Sequence, residues 1–321
     1  MRTSQARQPA FIQLHHDSRD AVRGELLQGL QAEAASISPK FLYDALGSRL
    51  FEAITELPEY YPTRTEASIF AAYGQEMAAL TPVQATLVDL GAGNCEKAAA
   101  LLGVLRPARY VAVDISVDFL RATLLRLQQR HPELDVLGLG LDFSSELNLP
   151  IQVGEGQRLL FYPGSSIGNF TPSQALKFLT QARTACQGGG LLIGVDLLKP
   201  VPILEPAYDD ALGITAAFNR NLLHHVNRLV GSNFEVEHWA HRAFFNPSLS
   251  RIEMHLQAQQ GVTVSWPGGQ RHFVEGQRIH TENSYKYRRE DFADLLQAAG
   301  FSPIRVWQDQ QAWFAVFWAQ A

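Results

Sequence analysis

The chain is short of cysteine, of net positive charge and of long apolar runs. Two cysteines in 321 residues, Cys95 and Cys186, exclude a disulfide framework and suit small packed side chains in a reducing compartment. A formal net charge of −5 gives no electrostatic reason to expect nucleic acid or an anionic membrane as partner. No stretch is long enough to span a bilayer, and the start, Met-Arg-Thr-Ser-Gln-Ala-Arg-Gln-Pro, has no apolar signal core. Metal-ligand spacing is missing as well. His15-His16 and His224-His225 are adjacent pairs that suit neither a helix face nor a strand face, and His238-x-x-His241 has no acidic third ligand at a familiar spacing. The expectation is a cytoplasmic, globular, monomeric protein with no metal, nucleic acid or membrane partner.

What is present is a core-forming composition, 46% hydrophobic, and one highly informative stretch. Thr86-Leu-Val-Asp-Leu-Gly-Ala-Gly93 reads as an apolar strand that ends at Asp89 and enters a glycine turn. Gly91 and Gly93 let backbone approach a ligand without a Cβ in the way. A second strand, Arg109-Tyr-Val-Ala-Val-Asp114, finishes on a carboxylate placed to accept a ribose diol. Asp114 also suits a helix cap ahead of Ser116-Val-Asp118, and the two roles are compatible. Dinucleotide and S-adenosylmethionine sites share this layout.

Around that turn the pattern alternates: strand 86–90, helix 95–105, strand 109–114, helix 116–130, strands 135–141 and 158–163, helix 172–185, strand 190–196. Such alternation implies right-handed βαβ units and a parallel sheet with helices on both faces. It stops after Lys199-Pro200. Residues 208–230 read as a helix, and 238–246, 250–258 and 270–282 as strand-like pieces. A helix at 289–299 and strands at 303–308 and 312–318 then resume the pattern. A terminal helix followed by two strands, the last inserted antiparallel, favours a methyltransferase sheet over a dinucleotide-binding half. Residues 1–20 read as a loose arm, 22–56 as short amphipathic helices, and 64–80 as a longer helix. The domain reading is a core of 64–199 plus 288–321, with 8–63 and 200–287 forming a second lobe. A cleft between lobes is a common location for a small-molecule site.

Phe41-Leu-Tyr43-Asp, Leu57-Pro-Glu-Tyr60-Tyr-Pro-Thr-Arg64, Gly164-Ser-Ser-Ile-Gly-Asn169-Phe, Ala207-Tyr208-Asp-Asp, Ala217-Phe-Asn-Arg-Asn221, Ser250-Arg-Ile-Glu-Met254 and Thr281-Glu282-Asn-Ser284 follow in this order. Together they resemble the S-adenosylmethionine-dependent histidine Nα-methyltransferases of ergothioneine biosynthesis, over about residues 35–321. The resemblance implies an α/β, class I methyltransferase (Rossmann-like) sheet with helices on both faces, plus an inserted α+β substrate-binding lobe. It also implies trimethylation of the L-histidine α-amine. Relatives in the wider family methylate other aromatic amino acids, so an acceptor such as tryptophan or a derivative is the alternative, and a non-catalytic cofactor-binding protein on the same scaffold is a further one.

Residue roles carry over in the same way. On the cofactor side the resemblance implies Asp142 for the adenine amine, Phe143 for its ring face and Lys97 for the methionyl carboxylate, beside Gly91, Gly93 and Asp114. Tyr43 lies close to both cofactor and amine and is the candidate proton acceptor. Asn169 and Tyr208 would hold the substrate carboxylate. Glu282 and Ser284 would pair with the two imidazole nitrogens, and Tyr60 and Met254 would shape the pocket. Independently of any family, Glu282 and Ser284 lie two apart and so project from one face of a strand. An acceptor and a hydroxyl there match a ring with one N–H and one bare nitrogen, although the same spacing also fits a polar face turned to water. Cys95 stands where methyltransferase turns often carry a third glycine; it is either a small side chain at a helix start or a thiol near the cofactor.

Overall fold

The computed structural model describes residues 7–14, 18–115 and 117–321, the side chains of Asp118 and Phe119 excepted. Residues 1–6, His15, His16 and Ser116, which entered the readings above, lie outside the described residues. The first half of the chain contains β1 (Ala10–Gln13), α1 (Arg19–Gln31), α2 (Ala45–Thr55), α3 (Tyr61–Leu80), β2 (Thr86–Leu90), α4 (Glu96–Leu105), β3 (Arg109–Asp114), α5 (Val117–Arg130) and β4 (Asp135–Gly140). It continues with β5 (Arg158–Tyr162), α6 (Pro172–Ala185), β6 (Gly190–Asp196), α7 (Val201–Leu204) and α8 (Ile214–Val230). The remainder is β7 (Trp239–Asn246), β8 (Arg251–Ala258), β9 (Val262–Trp266), β10 (Gly269–Phe273), β11 (Arg278–Tyr285), α9 (Arg289–Ala298), β12 (Ile304–Gln308) and β13 (Phe314–Gln320). Among the described residues, no helix is long and apolar enough to cross a membrane.

The chain divides into two compact units: Met1–His16, Arg64–Leu197 and Tyr287–Ala321 form one, and Asp17–Thr63 with Leu198–Lys286 the other. The first unit carries an eight-stranded sheet in the order β1-β4-β3-β2-β5-β6-β13-β12. Its strands are parallel from β1 to β6, and β13 enters antiparallel between β6 and β12. Without β1, this is the strand order of a class I methyltransferase. Alternate strand residues supply two apolar faces. Val88, Val111, Ile193 and Phe317 pack with Phe178 of α6 and Phe292 of α9. Leu87, Tyr110, Leu192 and Val316 pack with Phe70 of α3, Leu101 of α4 and Leu124 of α5. A strand apolar on both faces is what a sheet covered on both sides requires. α6 starts on a full capping box, Thr171 with Gln174, which explains its sharp beginning after β5.

Residues 8–14 belong to the first unit rather than to the second lobe, and the stretch is not wholly a loose arm: β1 pairs in parallel with β4, Ala10 opposite Leu137. Four residues are too few to show an alternation, so the signal lies in the partner strand. A Cβ on Gly138 would stand 2.7 Å from Phe11, and one on Gly140 2.2 Å from Gln13. Those two glycines leave the room that β1 fills.

The second unit packs α8 with α1, α2 and a three-stranded antiparallel sheet ordered β11-β8-β7. The helix read from 208 begins only at Ile214, where the Asp210 carboxylate accepts from the amides of Ile214 and Thr215 at 2.9 and 2.8 Å. The single strand expected over 270–282 is two strands in different sheets. β10 closes a hairpin with β9 through Pro267-Gly268, and β11 pairs with β8. Gly276, at φ +81°, turns the chain between them, a conformation open to glycine.

Candidate functional site

In the first unit the glycine turn has the conformation its composition demands. Gly91 and Gly93 have φ of +71° and +53°, and the amides of Gly91 and Ala92 both donate to the Val113 carbonyl at 2.9 and 3.0 Å. This clamps the turn after β2 to the end of β3. The Asp114 carboxylate is oriented from two sides, accepting Gly93 N–H at 3.2 Å through one oxygen and Ile115 N–H at 2.8 Å through the other. Phe143, after β4, reaches over the turn: a Cβ on Gly91 would sit 3.6 Å from its ring. Its ring stands edge-on to Tyr162 at 5.8 Å. Gly91, Gly93, Asp114 and Phe143 are therefore one cluster at the carboxyl ends of β2, β3 and β4, where open α/β sheets bind ligands. Asp142 follows β4 too, and one of its oxygens accepts from Ser144 N–H at 3.1 Å in a local turn. Asn169 ends the short 3-10 turn Ser166–Asn169 between β5 and α6.

Lys97 projects from α4 and meets Glu66 of α3 at 2.7 Å. Glu66 is fully buried, and its other oxygen accepts the Gly164 amide at 2.8 Å. One carboxylate thus anchors the lysine and the turn after β5 together. A Cβ on Gly164 would lie 2.9 Å from the Lys97 amino group, and one on Gly194 2.0 Å from Glu66. Both glycines keep space for this ion pair. Sequence reasoning did not single out Glu66, although its charge at the edge of the apolar positions Ile69 and Phe70 was the available signal.

Beneath the turn lies a buried polar set. Tyr110 donates to Asp89 at 2.7 Å. Burial pushes Asp89 up to about 7, against the opposing pull of the Tyr110 hydroxyl and the Lys97 charge. Cys95 caps α4 at φ +60°, and burial pushes its thiol up to about 12. A thiol that stays protonated is a poor nucleophile, so Cys95 is a packed side chain at a helix start rather than a reactive one. Cys186 is also free and buried.

The second unit gathers a different set. Glu282 and Ser284 lie on β11 with Met254 paired opposite Glu282 on β8. A register irregularity between His280 and Glu282 lets Thr281 donate to the Met254 carbonyl at 3.0 Å. The Glu282 side chain is buried, and burial pushes its carboxyl up to about 7 while the Lys286 charge pulls the other way. Ser284 Oγ lies 2.8 Å from the Tyr208 hydroxyl. Lys286, one step further along the same strand face, donates to both, at 2.7 Å to Ser284 and 2.8 Å to Tyr208. Aromatic rings extend the set: Tyr208 meets Tyr60 at 6.3 Å, Tyr60 meets Phe51 at 6.1 Å, and Tyr43 meets both Phe51 and Phe218 at 5.5 Å. Tyr43 is 39% exposed, so its ring is open to an incoming molecule while the others are packed.

Two polar relays fix this cluster. Asn219 of α8 donates to His241 Nδ1 at 2.9 Å, so His241 carries its proton on Nε2 and gives it to the Tyr208 carbonyl at 2.8 Å. Burial holds this histidine below its usual range, which suits the neutral tautomer. With both nitrogens engaged, His241 is a structural residue. Asp44 caps α2 through Gly47 N–H at 2.8 Å and accepts from Asn221 at 2.7 Å, with Arg228 bonded to its second oxygen. That junction sets the backbone next to Tyr43. Among the described residues no group of three or more His, Cys, Asp or Glu side chains is arranged to hold a metal ion.

Each unit therefore gathers one polar set: a glycine turn beside an oriented carboxylate in the first, and a buried carboxyl beside two hydroxyls in the second. The model of a protein family described as "Histidine-specific methyltransferase, SAM-dependent" matches residues 22–321. The chain is 40% identical over 297 residues to the histidine N-alpha-methyltransferase of Mycolicibacterium smegmatis, a match covering 90% of this chain and 92% of that protein. It is 40% identical over 303 residues to the protein of the same name from Mycobacterium tuberculosis, covering 92% and 94%. Against the N-methyltransferase imqF of Aspergillus flavus the identity is 28% over 310 residues, covering 92% and 83%.

Proposed function

This chain belongs to the SAM-dependent, histidine-specific methyltransferases, and from that premise we propose that it methylates the α-amine of L-histidine three times, giving the betaine hercynine. S-adenosylmethionine supplies a methyl group on a good leaving group. The protein's own work is alignment and the presentation of an unprotonated amine. Gly91, Gly93, Asp114, Asp142, Phe143 and Lys97 form the cofactor set. Gly91 has no Cβ and a positive φ, and both Asp114 oxygens are oriented by amides, which fits a ribose-bearing ligand. Asn169 and Tyr208 take the substrate carboxylate, and Tyr43 receives or orients the amine proton. Phe218 and Tyr43 make an aromatic wall that tolerates methyl groups and attracts the quaternary cation.

The observation that carries the acceptor assignment is Glu282, a buried carboxyl that desolvation raises to about 7, two residues from Ser284 on one strand face. Burying such a group is unfavourable unless a donor arrives. An imidazole supplies the N–H for Glu282 and a bare nitrogen for Ser284; an indole has no bare nitrogen. Met254, opposite Glu282, and Tyr60 bound the ring. A monomeric enzyme of the cytoplasm is part of the same proposal, supported by two free buried cysteines. The test is incubation with S-adenosylmethionine and an equimolar mixture of histidine, tryptophan, tyrosine and phenylalanine, followed by mass spectrometry. Mono-, di- and trimethylated histidine should dominate; no histidine-derived product at saturating cofactor defeats the proposal.

A further inference from the structure

We infer that Asn221 and His225 of α8 are positioning residues for Tyr43, holding the chain on either side of it so that its hydroxyl is presented to the substrate amine. The inference rests on the proposed role of Tyr43 and assigns a task to two residues that the proposed site does not use. Tyr43 is the single residue between two helical elements: it closes the 3-10 turn Pro39–Leu42, and Asp44 is the N-cap of α2. It is 39% exposed, against 2% for Phe218, so burial fixes it less firmly than it fixes its neighbour.

α8 supplies what burial does not. Phe218, Asn221, His225 and Arg228 are spaced three, four and three apart, which places them in one stripe along a helix. Every member of that stripe meets the segment 41–44. The Phe218 ring stands 5.5 Å from that of Tyr43, edge-on at 65°. Asn221 Nδ2 donates to Asp44 Oδ1 at 2.7 Å, the oxygen that also accepts the Gly47 amide at 2.8 Å. Arg228 donates to the other Asp44 oxygen. His225 Nδ1 lies 2.8 Å from the Phe41 carbonyl oxygen; a carbonyl only accepts, so Nδ1 carries the proton and donates it. Phe41 and Asp44 are thus pinned to one helix, and Tyr43 lies between the two pinned points. The Arg228 side chain is 58% exposed, so water screens its contact. Asn221 is buried, and a hydrogen bond to a carboxylate is roughly twice as strong as a neutral one. Such precision matters for a proton acceptor, which works only within hydrogen-bond reach, about 2.6–3.2 Å; a misplacement of about 1 Å can cost about 100-fold in rate.

The test is a kinetic cycle on the full-length protein: kcat and KM for histidine methylation in wild type, Asn221→Leu, Tyr43→Phe and the double variant, with histidine and S-adenosylhomocysteine affinities by calorimetry. Asn221→Leu keeps the size of the side chain and removes its donor. It should lower kcat by about tenfold or more, while KM and both affinities stay within about threefold. Tyr43→Phe should lower kcat by about 100-fold. Because Asn221 acts through the Tyr43 hydroxyl, adding Asn221→Leu to Tyr43→Phe should cost less than about threefold more. A larger loss there belongs to independent sites and overturns the assignment. Wild-type kcat in either single variant overturns it too, as does a loss of histidine affinity beyond about threefold in Asn221→Leu, the mark of a general disturbance of the pocket. Where Asn221→Leu does not fold, His225→Leu takes its place in the same cycle, with the same expected and overturning results. A wild-type protein that makes no methylated histidine sinks the proposed function and this inference with it, whereas a wild-type enzyme in which the two effects multiply sinks only the role of Asn221 and His225.

Discussion

In the first unit the groups proposed to meet the cofactor are set by backbone, whereas those proposed to meet the substrate in the second are side chains without local geometry of their own. Gly91 and Gly93 are placed by positive φ and by amide bonds to the Val113 carbonyl, and Asp114 is held by two amides. Glu282, Ser284 and Lys286 are instead placed by a strand face, a register irregularity and rings brought from α2, α8 and the segment before α8. Backbone suits a ligand that is the same in every turnover of a large enzyme class. Side-chain patterning suits the partner that distinguishes one enzyme from its relatives, since a single substitution changes it without rebuilding a turn. A change in one unit should therefore move one ligand and spare the other.

The largest expected effect is at the turn. Gly91→Val forces a β-branched residue to φ +71° and sets a Cβ 3.6 Å from Phe143. S-adenosylhomocysteine affinity should fall by about 100-fold or more, read by calorimetry, with the circular dichroism spectrum unchanged. Next comes Glu282→Ala, which removes the proposed acceptor of the ring and should weaken histidine by about 10- to 100-fold while cofactor affinity holds. Equal loss of both ligands in either variant would break the division. Glu66→Ala strips a partner from Lys97 and from the Gly164 amide. It should lower stability by about 1–3 kcal/mol and cofactor affinity by about tenfold, read by urea unfolding and titration.

The pH dependence sharpens the second side. Burial raises the Glu282 carboxyl to about 7, so it is protonated below that value and ionised above it. In the proposed site histidine needs the anion as acceptor. Its affinity should therefore weaken as pH falls below about 7, by up to about tenfold per unit, with proton release on binding; Glu282→Gln should flatten that dependence. The folding linkage has the opposite sense: a raised carboxyl stabilises the fold at low pH, and that contribution is lost as pH rises through about 7. The smallest effect belongs to Cys95→Gly. Relief of a left-handed non-glycine residue, about 1–2 kcal/mol, opposes the loss of a buried thiol, about 1 kcal/mol. Stability should stay within about 1 kcal/mol of wild type by thermal unfolding.

What the sequence made legible follows the same division. The turn at Gly91-Ala-Gly93 and the carboxylate of Asp114 are local patterns, and the βα alternation around them yields the sheet order of the first unit. That Glu282 and Ser284 share a strand face was legible from their spacing of two on β11, whereas the Ser284–Tyr208 contact joins residues remote in sequence. Glu66 and the Asn219–His241 relay depend on contacts between distant segments, which no periodicity encodes. β1 was illegible for a related reason: four residues have no pattern, and the room for them is written in Gly138 and Gly140 of another strand. β9 and β10 were merged or missed because a five-residue hairpin arm looks like loop until its turn, Pro267-Gly268, is paired on both sides.

The position of β13 bears on synthesis. That strand lies between β6 and β12 and pairs with both, Gln320 opposite Gly190. A chain emerging from the ribosome must hold β6 with one flank open until residues 314–320 have been made, although domains generally begin to fold from the amino-terminal side. The cofactor cradle, encoded early, precedes the strand that completes its sheet, and an exposed edge such as that of β6 is where chains pair wrongly with one another. The interval between the making of β6 and the making of β13 is thus the one in which this sheet is most open to mispairing.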